Sequence, residues 1–214
     1  MRAGIAVPLK LQIAGRATHM RYSRSREPLL SGGIMPIVQG KNISVLFPAE
    51  TIARRNGELA KEIAARAFDG LLVVAVLKGS FMFAADLMRA MHGVGLAPEI
   101  EFILISSYGK GTTSGEVKIL RDIDAPVEGR DVLLIDDILE SGKTLRYTRD
   151  LILARGARSV SIAVLLDKRG HRRVELEADF VGFECPDRFV VGYGMDAGHF
   201  FRELPFVGVM EDGV

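Results

Sequence analysis

Apolar runs and helical spacings alternate along the chain from about residue 36 onwards. Apolar runs typical of buried strands lie at 71–77, 99–106, 132–135 and 159–166. Apolar residues at helical spacing predict helices over 48–68, 81–91 and 145–154. Shorter strand-like stretches lie at 117–120, 179–184, 189–192 and 206–210. Because strands alternate with helices, we predict an α/β fold with a mainly parallel central sheet flanked by helices.

The most informative stretch joins the 132–135 run to the helix that follows it. Asp136 and Asp137 come directly after the run, and Glu140 follows three residues later. The turn 141–144 then lies at a helix N-terminus, where unpaired backbone N–H groups bind anions, above all phosphate. The acids would repel a phosphate, so they suit sugar hydroxyls, Mg²⁺ or a base nitrogen. The Walker A pattern fails here, because it needs a glycine where Asp137 stands.

Other stretches with chemical potential also follow strand ends, where open α/β sheets bind ligands. Lys78 and Gly79 form either a second anion site or a plain strand-to-helix turn. The glycine-rich loop 107–116 is either a linker or a lid, and Tyr108 favours the lid.

Three later segments have ordinary structural interpretations. Lys168 follows the 159–166 run, where a lone lysine is usually a solvated turn residue, and the basic cluster 168–173 is expected to be such a turn. Phe189 could stack on a flat base, although core packing is the default expectation. Asp196 and Arg202 could serve Mg²⁺ and pyrophosphate.

Charge and composition narrow the function classes. The chain has 214 residues and a formal net charge of +1, so nothing global indicates a nucleic-acid partner or a membrane surface. No apolar run approaches the roughly 20 residues that span a bilayer. The one cysteine, Cys185, rules out an intramolecular disulfide and fits a reducing cytoplasm. The histidines show no metal-ligand spacing.

Residues 1–35 differ from the rest, because their many basic residues face a single acid, Glu27. An acid-poor leader of this kind resembles an organellar transit peptide. The alternative is a disordered arm, or the product of an upstream start codon. We favour a disordered basic arm because the segment has weak amphipathic order. The predicted organisation is therefore an arm over 1–35 and one domain over 36–214.

The acidic stretch carries a family resemblance. It resembles the signature of the type I phosphoribosyltransferases. That signature consists of two hydrophobic residues, two acids, two hydrophobic residues, an acid, Ser or Thr, Gly, any residue and Thr. Further similar stretches follow in the family's order at 76–80, 107–109, 165–169 and 179–202. The tail from Asp179 is similar to the hypoxanthine-guanine phosphoribosyltransferases, a purine-salvage family. The resemblance implies the type I fold, with a small hood subdomain and a flexible lid loop.

The resemblance also implies an activity. The chain would transfer phosphoribose from phosphoribosyl pyrophosphate to N9 of hypoxanthine or guanine, giving IMP or GMP and pyrophosphate with Mg²⁺ as cofactor. It would act as a cytoplasmic homo-oligomer, a dimer or tetramer, without a nucleic-acid or membrane partner. Alternatives are a preference for xanthine, a non-catalytic regulatory module that senses phosphoribosyl pyrophosphate, and a kinase-like nucleotide binder. The near-neutral charge and intact acids argue against the regulatory module.

The family's phosphate and metal residues map onto matching positions here. The 5′-phosphate would bind the turn formed by Ser141, Gly142, Lys143 and Thr144. Pyrophosphate would bind Lys78, Gly79 and Arg202, beneath a lid that begins at Ser107 and Tyr108. The catalytic acids Asp136 and Asp137 would hold the ribose hydroxyls, directly or through Mg²⁺, and Asp196 would add a metal ligand.

The base-binding residues map with one departure. Lys168 would donate to the purine 6-oxo group, Phe189 would stack on the ring, and the Val190 backbone would read its edge. Glu140 would be the catalytic acid near purine N7, a position where the family usually has Asp. One extra methylene moves the carboxylate by roughly 1.5 Å, so the assignment of Glu140 as the base needs testing.

Overall fold

Strands and helices follow one another along the chain as the pattern predicts. The computed structural model describes residues 37, 38, 40–107 and 117–211. Its strands are β1 (Ile37–Val38), β2 (Lys41–Phe47), β3 (Leu72–Leu77), β4 (Glu99–Ser107), β5 (Val117–Arg121), β6 (Asp131–Leu139), β7 (Ser159–Asp167), β8 (Phe180–Glu184), β9 (Val190–Val191) and β10 (Val207–Met210). Its helices are α1 (Ala49–Ala64), α2 (Phe81–Gly93) and α3 (Lys143–Ala154), with a 3-10 turn at Arg169–His171.

Six strands form the central sheet, in the order β5-β4-β3-β6-β7-β8. The pairs from β4 to β8 are parallel, and β5 joins the edge antiparallel to β4. The carboxyl ends of β3, β6 and β7 therefore meet at one edge of the sheet, where the candidate residues lie. The predicted α/β class with a mainly parallel sheet is confirmed.

Helices cover both faces of the sheet, which explains its continuous apolar runs. Residues such as Leu133 and Ile135 on β6 pack with α1 and α2. The alternate residues Val132 and Leu134 pack with α3 on the other face. Because successive side chains of a strand point to opposite faces, a strand covered on both sides has no solvent-facing position.

A second, antiparallel sheet has the order β1-β2-β10-β9 and fits the expected hood subdomain. Its core is a separate small cluster formed by Ile43, Val191, Phe201 and Met210. The sequence pattern indicated β10 but not β2, because most β2 side chains are only partly buried.

Several element boundaries differ from the sequence-based prediction. Helix α1 ends at Ala64 rather than at 68, and Ala67 has a left-handed φ of 49° that ends the helical path. Strand β6 continues to Leu139 rather than ending at 135. The predicted arm over 1–35, with Tyr108 and the rest of the predicted lid to residue 116, lies outside the described residues. In the described ranges, no helix is long and apolar enough to cross a membrane.

Candidate active site

The two adjacent acids lie within β6, not in the turn after it. Asp136 pairs with Val164 of β7, and its carboxylate accepts a hydrogen bond of 3.0 Å from the Asp137 backbone N–H. The Asp137 carboxylate accepts from the Ile138 N–H at 2.9 Å. Each acid therefore satisfies the backbone N–H of the next residue, and the extended backbone continues past the apolar run.

Burial makes the charges on this pair costly. Asp136 is 9% exposed and Asp137 is partly buried. Burial raises the pKa of Asp136 well above its usual range, and the neighbouring charge of Asp137 raises it further. Burial also raises the pKa of Asp137, although its hydrogen bond from Asp136 and the charge of Arg202 oppose the rise. A bound cation or a hydroxyl donor would relieve this cost, which fits a sugar or metal site.

The turn after β6 has the geometry of an anion site. Gly142 has a φ of +77° and caps α3, so the N–H groups of the first helical turn point outward without intrahelical partners. The Arg173 N–H donates to the Ser141 carbonyl at 2.9 Å and holds the turn in place. A pocket of about 220 Å³ lies here; it is lined by Asp136, Asp137, Ile138, Leu139, Glu140, Ser141, Gly142, Thr144 and Leu145.

A second pocket, of about 190 Å³, adjoins the first and shares three of its residues. It is lined by Asp137, Ile138, Glu140, Lys168, Arg188, Phe189, Val190, Met195 and Asp196. The two pockets together can therefore hold a ligand with a phosphate at one end and a flat ring at the other. Sequence reasoning missed Ile138, Arg188 and Met195, whose sequence context gives no sign that they reach this pocket.

Lys168, the buried cation of the second pocket, is held by two carboxylates. The Lys168 ammonium donates to Glu140 at 2.7 Å and lies 3.4 Å from Asp187, which also contacts the His171 ring at 2.8 Å. Burial opposes the charge on Lys168, but the hydrogen bond and attraction of Glu140 prevail and raise its pKa. Asp187 is a neighbour that sequence reasoning missed.

Two sequence-based expectations about this pocket are wrong. Lys168 is 8% exposed, so it is not a solvated turn residue. Phe189 is 44% exposed and lines the pocket, so it is not packed in the core. The expected solvated turn at 168–173 holds for most of its basic residues, which are exposed, but Arg172 is largely buried and pairs with the buried Asp167.

The turn after β3 packs against the acids. A Cβ on Gly79 would overlap the Asp137 carboxylate, and a Cβ on Gly194 would overlap the Gly79 carbonyl. Only glycine permits these approaches. The peptide bond between Leu77 and Lys78 is cis, and the Lys78 side chain is exposed.

Asp196 and Arg202 form an ion pair beside this turn. Arg202 contacts Asp196 at 2.6 Å and donates to the Gly194 carbonyl at 2.6 Å. The second Asp196 oxygen accepts from the His199 N–H at 2.8 Å. Within the described residues, no cluster of three or more metal-binding side chains forms. Of the expected metal residues, Asp136 and Asp137 are adjacent on β6, and Asp196 lines the same pocket as Asp137.

Comparison with known proteins assigns the family. The model of the phosphoribosyl transferase domain matches residues 44–197. A hypoxanthine-guanine phosphoribosyltransferase from Aquifex aeolicus (strain VF5) is 45% identical over 181 residues, covering 83% of this chain and 100% of that protein. The chain belongs to the hypoxanthine-guanine phosphoribosyltransferase family.

Further similar proteins are also named as hypoxanthine or hypoxanthine-guanine phosphoribosyltransferases. One from Bacillus subtilis (strain 168) is 46% identical over 172 residues, covering 79% of this chain and 94% of that protein. The crystal structure of a hypoxanthine phosphoribosyltransferase from Staphylococcus aureus superposes with a TM-score of 0.73 at 40% identity, covering 78% of this chain and 90% of that chain. The expected type I fold is confirmed.

The raised pKa of Asp136 predicts that its charge destabilises the folded chain. Asp136→Asn keeps the acceptor for the Asp137 N–H but removes one buried charge. Because the folded state holds the proton more tightly than the unfolded state, stability falls as pH rises above the unfolded pKa of about 4. We expect Asp136→Asn to raise the free energy of unfolding by about 1 kcal/mol at neutral pH. Denaturant unfolding curves measure this difference.

The gain from Asp136→Asn should shrink towards about pH 4, where both states hold the proton. Asp124→Asn is the matched control, because the Asp124 side chain is 84% exposed. Equal effects of the two substitutions at neutral pH would contradict the electrostatic account of the pair.

Proposed function

We propose that this chain is a purine-salvage enzyme that transfers phosphoribose from phosphoribosyl pyrophosphate to N9 of hypoxanthine or guanine. The main support is the pair of adjoining pockets. The first contains the anion-binding turn and the two acids, and the second is the size of a base and contains a buried lysine. The named relatives support the same activity, since they are hypoxanthine-guanine phosphoribosyltransferases and this chain matches them over most of their length.

The residues divide the work of a displacement at the anomeric carbon. The first-turn N–H groups of 141–144 would hold the 5′-phosphate, and Asp136 and Asp137 would position the ribose hydroxyls. Lys78, Gly79 and Arg202 would receive the pyrophosphate that leaves. As positive charge develops on the sugar ring, the nearby carboxylates would stabilise it.

The base pocket would orient the purine and manage its proton. Lys168 would donate to the 6-oxo group, the exposed ring of Phe189 would stack on the base, and the Val190 backbone would read the ring edge. Glu140, which holds Lys168 at 2.7 Å, would exchange that contact for purine N7 and accept or share its proton. Ser107 and Tyr108 would begin the lid over the sugar.

Mg²⁺ fits this site through Asp136 and Asp137, with Asp196 as a further oxygen ligand. Two adjacent carboxylates with raised pKa values suit a hard divalent cation, which usually takes one or two carboxylates together with substrate phosphates. When bound, the ion would neutralise charge on the pyrophosphate leaving group.

A base panel tests the proposal. With phosphoribosyl pyrophosphate and Mg²⁺, we expect pyrophosphate release and nucleotide formation with hypoxanthine and guanine. Adenine should react at least about 100-fold more slowly, because its 6-amino group is a hydrogen-bond donor and offers the Lys168 ammonium no acceptor. Faster turnover of xanthine would favour a xanthine-preferring enzyme. Binding of phosphoribosyl pyrophosphate without turnover of any base would favour a regulatory module.

Glu140 substitutions test the departure at the N7-facing acid. Glu140→Asp should keep or raise activity, because the carboxylate stays in the pocket, whereas Glu140→Ala should lower kcat about 100-fold or more. Glu58→Ala, on the surface of α1, is the matched control. Steady-state kinetics measure these changes, and a normal kcat for Glu140→Ala would remove Glu140 from the mechanism.

The same proposal includes the oligomeric state and the cellular location that the family resemblance implies. We expect a cytoplasmic homo-oligomer, a dimer or tetramer. Phe81 on α2 and Phe102 on β4 are 36% and 40% exposed, and aromatic side chains of this kind are enriched at subunit contacts. Sedimentation analysis measures the mass, and a monomer at micromolar concentration would contradict the expected assembly.

A further inference from the structure

A buried tyrosine lies behind the pyrophosphate side of the site. Tyr193 is 6% exposed, and its hydroxyl donates to the Asp86 carboxylate of α2 at 2.7 Å. The same hydroxyl accepts from the Asn56 amide of α1 at 2.9 Å. Burial raises the pKa of the Tyr193 phenol, and the hydrogen bond to Asp86 raises it further. The hydroxyl therefore stays protonated and joins the two helices to the segment that carries Tyr193.

The direction of these hydrogen bonds is fixed by chemistry. The Tyr193 hydroxyl has one proton, which it donates to Asp86, so it accepts from the Asn56 amide. This leaves the Asn56 carbonyl oxygen buried without a hydrogen-bond partner in the described structure. An unpaired buried acceptor costs stability, so an apolar residue at position 56 would suit the core better than asparagine. Asn56 therefore orients the Tyr193 hydroxyl at a cost to the stability of the fold.

The backbone around Tyr193 makes an unusual path that needs such an anchor. Gly192, Tyr193 and Gly194 have φ angles of 95°, 48° and 104°, all in the left-handed region. Left-handed backbone is unfavourable for a residue with a Cβ, so contacts elsewhere must hold Tyr193 in place. The Tyr193 N–H also donates to Leu204 at 2.9 Å. We call residues 192–202 the hairpin loop.

The hairpin loop connects Tyr193 to the pyrophosphate side of the site through direct contacts. Gly194 lies directly against the Gly79 carbonyl, and Gly79 lies directly against the Asp137 carboxylate. The Gly194 N–H donates to the Arg202 carbonyl at 3.0 Å, while its own carbonyl accepts from the Arg202 side chain at 2.6 Å. A shift of Tyr193 would therefore move Arg202 and the Gly79 turn. Met195 and Asp196 of the hairpin loop also line the base pocket, but Lys168 is held there by Glu140 and Asp187, which lie outside the loop.

We infer that Tyr193 is a positioning residue for the pyrophosphate half of the substrate, acting through the hairpin loop on Gly79 and Arg202. The inference rests on the proposed function, because it assigns the leaving group to that side of the site. A tyrosine that merely stabilised the core would affect folding and both substrates alike.

Tyr193→Phe separates these two possibilities. The substitution removes only the hydroxyl, and we expect KM for phosphoribosyl pyrophosphate to rise about tenfold while KM for hypoxanthine changes less than about twofold. Calorimetry with inorganic pyrophosphate and Mg²⁺ should show the same weakening without turnover. Tyr147→Phe is the matched control, because it removes the hydroxyl of a tyrosine that is 38% exposed on α3.

Asn56→Leu provides a second variant if Tyr193→Phe folds poorly. It removes the unpaired acceptor along with the donor to Tyr193, so we expect unfolding temperature to stay level or rise while pyrophosphate affinity falls. Equal changes in both KM values, or unchanged pyrophosphate affinity in a folded variant, would overturn the inference. A wild-type chain that binds pyrophosphate but transfers phosphoribose to no base would overturn the proposed function and leave the positioning result to be read from calorimetry.

Discussion

The site depends on holding two adjacent carboxylates inside the edge of an apolar sheet. When both are ionised, Asp136 and Asp137 repel each other, and burial raises the cost of each charge. The backbone N–H groups that donate to them offset part of this cost. The rest is available as binding energy for any cation or hydroxyl donor that enters. In the proposed reaction, activity and stability would therefore oppose each other at this pair.

The parallel register brings the remaining chemistry to the pair. Leu139 of β6 lies opposite Asp167 of β7, so the next residues, Glu140 and Lys168, leave the sheet side by side and form their ion pair. On the other side of β6, the turn after β3 approaches Asp137 closely because Gly79 has no side chain. Residues from three separate strands thus converge without any sequence motif that joins them.

Sequence patterns predicted the strands and turns whose burial or position at a helix N-terminus is visible in a short stretch of sequence. The runs of β3, β6 and β7 and the turn at Gly142 are recognisable because burial on both faces and a helix N-terminus leave direct traces in sequence. Tertiary packing decided the rest. The burial of Lys168 depends on its partners Glu140 and Asp187, and the exposure of Phe189 depends on a pocket built from distant segments. Strand β2 was missed because most of its side chains are only partly buried, so its sequence shows no buried apolar run.

The ion pairs of the free chain bear on how substrate would bind. Lys168 is already paired with Glu140, and Arg202 with Asp196, so both cations have an acidic partner before substrate binds. In the proposed reaction, the purine and the pyrophosphate would compete with these carboxylates instead of meeting bare charges, which limits affinity but avoids stranding a buried cation. The released carboxylates are the groups assigned to purine N7 and to Mg²⁺. Substrate binding would therefore free the catalytic acid and the metal ligand in the same exchange that seats the base and the leaving group.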